Sequence, residues 1–540
     1  MSAANTELQM QAFIEKHLES AAPLAREACL AAWELQTTGS EDAKERSAEL
    51  SARFVKLYAN PDEYAFLQSL PAHELSDPLL ARQHDLLLKG YLANQMDEQV
   101  IDEMIRLSVD IEEQFNSYRA LVGGRLVSDN EIDELLIHSN DTALRQEAWM
   151  ASKKVGTSVT DKLMRLIRLR NREAQRLGFT DYYAMSMQLQ ELKEEYLFTL
   201  LDDLKTQSDP LWHTYKTELD AELAARFQTT PDQIQPWHHA NRFFQEPGPG
   251  EADLDRFFTG KDLAVLTARF YSTIDLPIED LLASADLYER EGKCQHAFCM
   301  DVDRLGDVRV LCNCRSNERW MGTMLHEFGH AVYDKYTDLS LPYLLREPAH
   351  ILTTEAIALF MGRLSKDASW LKRYAGVQAE EAERIAASAQ QEMRNHLLVF
   401  TRWCLVMAHF ERALYHNPEQ DLDALWWEMV EKYQGLACPP EARTPGMWAS
   451  KIHLASAPVY YHNYLLGEMV ASQLLHHIQT VVLAGEPAHA LVQSPAVGRY
   501  LKEQVFYLGA TKPWEEWLAH ATGTPLNPRY FVAQLDAVQG

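Results

Sequence analysis

Trp320-Met-Gly-Thr-Met-Leu-His326-Glu327-Phe-Gly-His330-Ala-Val332 is the stretch on which the interpretation of this chain depends. In an α-helix, residues four positions apart lie on one face, so His326 and His330 are predicted to present two imidazoles to one metal ion. Glu327, next to the first histidine, is placed to act on a water molecule beside that metal. The alternative is an amphipathic helix whose histidines merely fall four apart, and a third ligand is needed to decide.

The best candidate for the third ligand is Glu355, the one acid in a predicted apolar helix at 351–362. An ionised carboxylate in such a helix is costly unless it is paired or bound to a metal. Glu347 and His350, in the segment before this helix, are the competing candidates. Two imidazoles and one carboxylate, with a fourth position open to water, are typical of a catalytic zinc site. We therefore predict one Zn²⁺ per chain.

The composition is that of a globular protein with a strong negative charge. The 540 residues include 51 Lys and Arg against 78 Asp and Glu, which gives a net charge of −27. Nucleic acids and anionic membrane surfaces bind basic patches, so neither is expected as a partner. No signal peptide or membrane-length apolar run is recognisable, and seven cysteines at low density favour reduced thiols. These features predict a cytoplasmic protein.

Apolar residues recur at helical spacing through most of the chain, which predicts a mainly α-helical fold. The predicted helices of the N-terminal part are 7–35, interrupted at Pro23, and 41–58, 78–89, 95–121, 129–137, 142–155, 158–178 and 193–226. Proline and glycine in 228–255 predict a loop, which is either a hinge between two lobes or a surface excursion. Helices resume at 256–273 and 277–285.

Two short segments with β-strand character precede the metal helix. Residues 295–302 and 307–312 flank the turn 303–306, which predicts a β-hairpin. An edge strand beside a metal helix would allow an extended peptide to add to it by backbone hydrogen bonds. A small hairpin with a structural role alone is the alternative. Nearby, Cys312 and Cys314 with Cys294 are a weaker candidate for a metal site, because their spacing fits no common zinc pattern.

Several motifs follow one another in a fixed order around and beyond the metal helix. They are Gln295-His-Ala297, His326-Glu-Phe-Gly-His330, Leu345-Arg-Glu347, Glu355-Ala-Ile357, Trp426-Trp-Glu428, Lys432-Tyr-Gln-Gly-Leu-Ala-Cys-Pro-Pro440, Lys451-Ile-His453 and Tyr461-His-Asn-Tyr464. In this order and approximate spacing the chain resembles the angiotensin-converting enzyme family of peptidyl-dipeptidases. The His-Glu-Phe-Gly-His motif and its spacing to the glutamate are also similar to the thimet oligopeptidase group.

The resemblance implies a gluzincin-type metal centre. His326, His330 and Glu355 would bind zinc, and Glu327 would act first as general base and then as general acid in peptide hydrolysis. The chain departs from the family pattern at Leu359, where the family has an aspartate that supports the zinc site. The sequence therefore leaves open what orients the two histidines.

The resemblance also implies roles for residues 451–464. His453 and Tyr464 would donate hydrogen bonds to the oxyanion of the tetrahedral intermediate. Lys451 and Tyr461 would bind the substrate's C-terminal carboxylate. A helix that begins after Pro458 would place the two tyrosines on one face. The glutamine that normally completes the carboxylate site cannot be placed from the sequence.

We therefore predict a mainly α, two-lobed helical zincin with a deep substrate channel and a small β-hairpin beside the His-Glu-x-x-His helix. The whole chain, 1–540, would form a single peptidase unit of two intertwined lobes. Residues 1–227 would form an N-terminal helical lobe or lid, and 256–540 the zinc-containing catalytic part. His296 and Ala297 match strand positions that bind substrate backbone in the family.

The predicted activity is zinc-dependent hydrolysis of short peptides with release of C-terminal dipeptides. The alternatives are an oligoendopeptidase of the thimet type and a catalytically silent helical protein that binds peptides. Short peptides are the expected partners, and the chain is expected to be a monomer or a homodimer.

Overall fold

The structure, a computed structural model, describes residues 3–250, 253–440 and 444–536. Helices dominate it, as the sequence periodicity predicts. The helices of the N-terminal half are α1 (Ala3–Thr38), α2 (Glu41–Tyr58), α3 (Pro61–Ser69), α4 (Pro78–Ala93), α5 (Glu98–Ser117), α6 (Asp129–His138), α7 (Thr142–Arg176), α8 (Tyr182–Leu189), α9 (Glu194–Phe227), α10 (Leu263–Thr273) and α11 (Glu279–Ser284).

The remaining helices continue from the metal motif towards the C-terminus. They are α12 (Glu318–Tyr336), α13 (Ile351–Arg363), α14 (Ala368–Trp370), α15 (Ala379–His416), α16 (Leu422–Gln434), α17 (His453–Ser456), α18 (Tyr461–His477), α19 (Pro495–Leu501), α20 (Trp514–Thr522) and α21 (Arg529–Asp536). In the described part of the chain, none of these helices is long and apolar enough to cross a membrane.

Two antiparallel hairpins contain the β-strands of the described residues. β3 (Phe298–Asp301) pairs with β4 (Val308–Leu311), which confirms the predicted hairpin with shorter strands. β1 (Ala120–Val122) pairs with β2 (Arg125–Val127) where the sequence was predicted to continue as the helix 95–121, so that prediction is wrong beyond Ser117. The turn Gly123-Gly124 has φ values of +57° and +77°, which suit a tight hairpin turn.

Two predicted helix breaks are also wrong. α1 continues through Pro23, whose side chain is exposed, so the carbonyl that loses its backbone partner is open to solvent. α7 joins the two predicted helices into one, through Gly156. A Cβ on Gly156 would lie 2.3 Å from the Gly446 carbonyl oxygen, so this glycine accommodates a neighbouring segment and does not end the helix.

The chain divides into two compact units. Unit 1 comprises Met1–Gln95, Ala252–Ser388 and Gly467–Tyr530, and unit 2 comprises Met96–Glu251, Ala389–Leu466 and Phe531–Gly540. Each unit takes segments from both sides of the predicted loop 228–255. The two compact units therefore do not correspond to an N-terminal and a C-terminal part of the chain. The lid role of 1–227 and the catalytic role of 256–540 stay predictions.

Each unit has its own apolar core. In unit 1, α1, α3 and α4 contribute buried residues such as Met10, Leu67 and Leu87. In unit 2, the β1–β2 hairpin packs with α6 and α7 around Trp149 and Trp237, whose ring centroids lie 6.0 Å apart. Burying aromatic surface of this size is a large part of what stabilises a helical unit.

Candidate metal centre and substrate-binding residues

Three predicted metal ligands meet in unit 1 on the adjacent helices α12 and α13. His326 and His330 lie one turn apart on α12, and their ring centroids are 5.0 Å apart. Nε2 of His326 lies 3.8 Å from one carboxylate oxygen of Glu355, and Nε2 of His330 lies 3.6 Å from the other. One ligand atom from each residue lies within 4.8 Å of the others, and no other such group occurs in the described ranges.

The donor set fits a zinc ion. Ligands bound at about 2.0–2.1 Å in a tetrahedral arrangement lie about 3.3 Å apart, close to the two nitrogen–oxygen distances of this group. Burial lowers the pKa of His326 to about 4, so its imidazole is neutral, as a metal ligand requires. At Glu355 burial is outweighed by His330 and His326, which lower its pKa and keep it a carboxylate.

Close packing of the two helices brings these residues together. A Cβ on Gly329 would lie 3.0 Å from Cα of Ala358 on α13. A Cβ on Gly362 would lie 3.3 Å from the Gly322 carbonyl oxygen on α12. Glycine at these contacts therefore allows the two backbones to approach closely, which places Glu355 opposite both histidines.

Leu359 stands where the related family has a supporting aspartate. The structure shows which other groups act on the two histidines. Nδ1 of His330 lies 2.7 Å from Oγ1 of Thr354, which leaves Nε2 on the side of Glu355. The backbone of Ala358 acts on the His326 ring and opposes the lowering of its pKa by burial. Such partners fix the orientation and tautomer of metal-binding imidazoles. Both come from α13, next to the candidate ligand, and no motif in the sequence signals them.

The competing candidates make other interactions. Glu347 forms an ion pair of 2.5 Å with Arg304, and Nδ1 of His350 accepts a hydrogen bond of 3.1 Å from the backbone nitrogen of Leu352 at the start of α13. Cys294, Cys312 and Cys314 form no metal-binding group among the residues that the structure describes.

Glu327 lies between the two histidines of the metal motif, is not a candidate ligand and is buried. It is 7% exposed, and burial raises the pKa of its carboxyl to about 7. His330 acts in the opposite direction, because its positive form would favour the carboxylate. A carboxyl of this kind beside a metal can exchange a proton with water.

Unit 2 brings together a second set of predicted residues. The His453 ring centroid lies 5.0 Å from that of Tyr461, and the Tyr461 centroid lies 5.4 Å from that of Tyr464. α18 begins at Tyr461, which places the two tyrosines one turn apart as predicted. Burial lowers the pKa of His453 to about 4. Its Nδ1 is buried and has no hydrogen-bond partner within the described ranges.

Lys451 lies beside the same aromatic group. Its ammonium donates a hydrogen bond of 2.7 Å to Oε1 of Gln245 and lies 5.6 Å from the Tyr461 ring centroid. No carboxylate of the described chain lies within ion-pair distance of it, and burial lowers its pKa to about 8. Gln245 was not among the residues that the sequence singled out. It lies in the loop 228–255, where no periodicity or motif marks it.

His296 and Ala297 lie directly before β3, not within it as predicted, because strand pairing begins at Phe298. β4 has β3 on one side and bonds with Asp286 on the other, where the Asp286 nitrogen donates to the Val310 oxygen at 2.8 Å. β3 is therefore an edge strand among the described residues, and it packs against α12.

Comparison with known proteins agrees with this geometry. The model of peptidase family M3 matches residues 135–537, and the model described as angiotensin-converting enzyme matches residues 4–237. Thermostable carboxypeptidase 1 of Pyrococcus furiosus is 26% identical over 267 residues, which cover 44% of this chain and 51% of that protein. The chain thus spans about half the length of this curated relative.

The family matches confirm the resemblance inferred from the motifs. The first family model covers well over half of the chain and includes the whole metal motif. The chain therefore belongs to peptidase family M3, a family of zinc-dependent metallopeptidases.

Proposed function

We propose that this protein hydrolyses short peptides in a zinc-dependent reaction and releases C-terminal dipeptides. The observation that carries the proposal is the group formed by His326, His330 and Glu355, with Glu327 next to the first histidine. Membership of a peptidase family supports hydrolysis, and the name of the Pyrococcus relative, a carboxypeptidase, supports action near a C-terminus. The cytoplasmic location and the monomeric or dimeric state stay predictions.

His326, His330 and Glu355 would hold one zinc ion. When bound, zinc would supply a Lewis acid that polarises the peptide carbonyl and makes water more acidic. Glu327 then takes a proton from the attacking water as general base and returns it to the leaving amine nitrogen as general acid. Thr354 keeps the His330 imidazole in place during these steps.

We propose that His453 and Tyr464 stabilise the oxyanion of the tetrahedral intermediate. The phenol of Tyr464 and a ring N–H of His453 are neutral donors that can stabilise the charge that develops on the former carbonyl oxygen. The edge strand β3, with His296 and Ala297 before it, is proposed to bind the extended peptide backbone.

The release of dipeptides depends on recognition of a free C-terminus, which we assign to Lys451, Gln245 and Tyr461. A buried ammonium with a neutral amide as its partner attracts a carboxylate, because a charge-assisted hydrogen bond is stronger than a neutral one. An endopeptidase of the thimet type has no need of such a group. A silent peptide-binding protein has no need of Glu327.

The experiment compares one fluorogenic peptide as the free acid and as the C-terminal amide, with wild type and Lys451→Met. We expect wild type to prefer the acid, and the variant to lose that preference mainly through KM, by about 10-fold or more, since a charge-assisted hydrogen bond contributes about 1.5–3 kcal/mol. Equal turnover of acid and amide by wild type would favour the endopeptidase.

Glu327→Gln provides the control for chemistry. It should bind zinc as wild type does and lose about 10²–10⁴-fold in kcat, the usual contribution of a general acid and base. If both forms hold one zinc per chain and neither cuts any member of a broad peptide library, the protein is not a peptidase.

A further inference from the structure

Val459, two positions before α18, has a backbone conformation that its own side chain disfavours. Its φ is +53°, and its side chain is 0% exposed. This left-handed region is an outlier for a β-branched residue, which adopts it only where the surrounding structure imposes it. The strained residue lies between His453 and Tyr464, the two residues assigned above to the oxyanion.

Two side chains from distant parts of unit 2 hold the two peptide groups of Val459. Its N–H donates a hydrogen bond of 2.8 Å to Oε1 of Glu411, which belongs to α15. Its carbonyl oxygen accepts one of 2.9 Å from Nε2 of Gln190, which directly follows α8. Val459 lies in the turn at 458–459, and these tertiary contacts hold both of its peptide groups in that turn.

Gln190 also contacts the first turn of α18. Its Oε1 accepts a hydrogen bond of 2.7 Å from Nδ2 of Asn463 and lies 3.2 Å from Nε2 of His462. One amide side chain thus connects the strained residue to the helical turn that contains Tyr461 and Tyr464.

Glu411 is built into the same network. It is 3% exposed, and burial raises the pKa of its carboxyl to about 8, although the Val459 N–H and Arg170 act in the opposite direction. Arg170 itself donates to the carbonyl oxygens of Leu454 at 3.0 Å and Ala455 at 2.7 Å. α7, α15 and the residue that follows α8 therefore all supply side chains to the short segment before α18.

We infer that Glu411 and Gln190 are positioning residues: by holding Val459 in the left-handed conformation they set the direction in which α18 begins, and with it the places of the Tyr461 and Tyr464 hydroxyls. The catalytic consequence rests on the proposed function, whereas the structural consequence does not. Both residues contact Val459, and we place their effect on the reaction through the tyrosines.

The test uses the zinc-loaded, full-length protein with Glu411→Ala, Val459→Gly and Val459→Ala, alone and combined. Glu411→Ala should lower kcat about 10- to 100-fold, because small displacements of a catalytic group have effects of this size. Glycine adopts φ of +53° without steric cost, so Val459→Gly should restore much of the lost kcat in the Glu411→Ala background. Val459→Ala also shortens the side chain but keeps the Cβ, so it should restore less of the lost kcat.

Glu411→Gln is the conservative variant. The glutamine amide has nearly the shape of a neutral carboxyl and keeps an oxygen that accepts from the Val459 N–H, so its kcat should stay within about threefold of wild type. All measurements are made well below the melting temperature of each variant, so that a difference in kcat reports position and not unfolding.

A second readout does not depend on catalysis. 3-Fluorotyrosine at position 464 gives one ¹⁹F signal, which Glu411→Ala should shift and Val459→Gly should return towards its original position. If Glu411→Ala leaves this signal and kcat unchanged, or if Val459→Gly restores no more than Val459→Ala, the positioning role is rejected. A wild type without peptidase activity would overturn the proposed function alone, since the ¹⁹F series still decides the role of Glu411.

Discussion

The candidate metal ligands and the segment 451–464 are built in two different ways. His326 and His330 share one turn of α12, and Glu355 lies on the next helix, so regular helices provide the whole ligand group. The segment 451–464 contains a four-residue helix, a strained loop and only the start of a long helix. Side chains from α7, from α15 and from Gln190 after α8 hold it from outside.

Because of this difference, substitutions in the two regions are expected to change different measured quantities. The ligand group needs only helical spacing and a close contact between two helices, so changes there are expected to act on zinc affinity. Residues 451–464 depend on restraints from far along the chain, so changes there are expected to act on kcat or KM while zinc remains bound. Three predictions test this contrast in the metal-binding helices.

Removal of a ligand should have the largest effect. Glu355→Ala should weaken zinc binding by more than about 100-fold, since even the loss of a group that only orients a ligand costs about 10- to 100-fold. Competition with a chromogenic chelator measures the affinity, and Glu327→Gln is the control with an unchanged ligand group. Wild-type affinity in Glu355→Ala would mean that the ion is held elsewhere.

Removal of the hydroxyl beside His330 should have a smaller effect on the same quantity. Thr354→Val keeps the shape but loses the contact of 2.7 Å to Nδ1, so zinc affinity should fall by about 10- to 100-fold. Thr323→Val on α12 is the matched control, because that hydroxyl bonds to the Arg319 carbonyl of its own helix. Equal affinities of the two variants would contradict the role of Thr354.

A methyl group at the helix contact should have the smallest effect. Gly329→Ala places a Cβ 3.0 Å from Cα of Ala358 and should destabilise the protein by about 1 kcal/mol net, because overpacking costs about 1–3 kcal/mol while alanine in a helix recovers about 0.5–1 kcal/mol. Urea unfolding measures the change.

Gly467→Ala is the control for this prediction. Its Cβ would meet Glu355 only at 3.6 Å, an ordinary contact, so it should be neutral or slightly stabilising. A stabilising Gly329→Ala would show that the two helices are not in close contact at this point.

Sequence reasoning succeeded where a pattern is local. Helical periodicity, the spacing of His326 and His330 and the lone acid Glu355 each follow from neighbours within a few turns, and the described residues agree with them. It failed where contacts with a distant segment or with solvent allow a helix to continue through a glycine or a proline. Gly156 looks like a helix break until the segment at Gly446 lies against it, and Pro23 is tolerated because it faces solvent.

By itself, the sequence determined the helical class, the family relationship and the two imidazoles on one helical face, because helical spacing converts sequence order directly into geometry. Only the tertiary structure decided that Thr354 lies beside His330, that Gln245 lies beside Lys451, and that Glu411 and Gln190 hold Val459. These contacts join residues whose separation along the chain carries no periodic signal. Their meaning depends on packing, which arises only when the whole chain has folded.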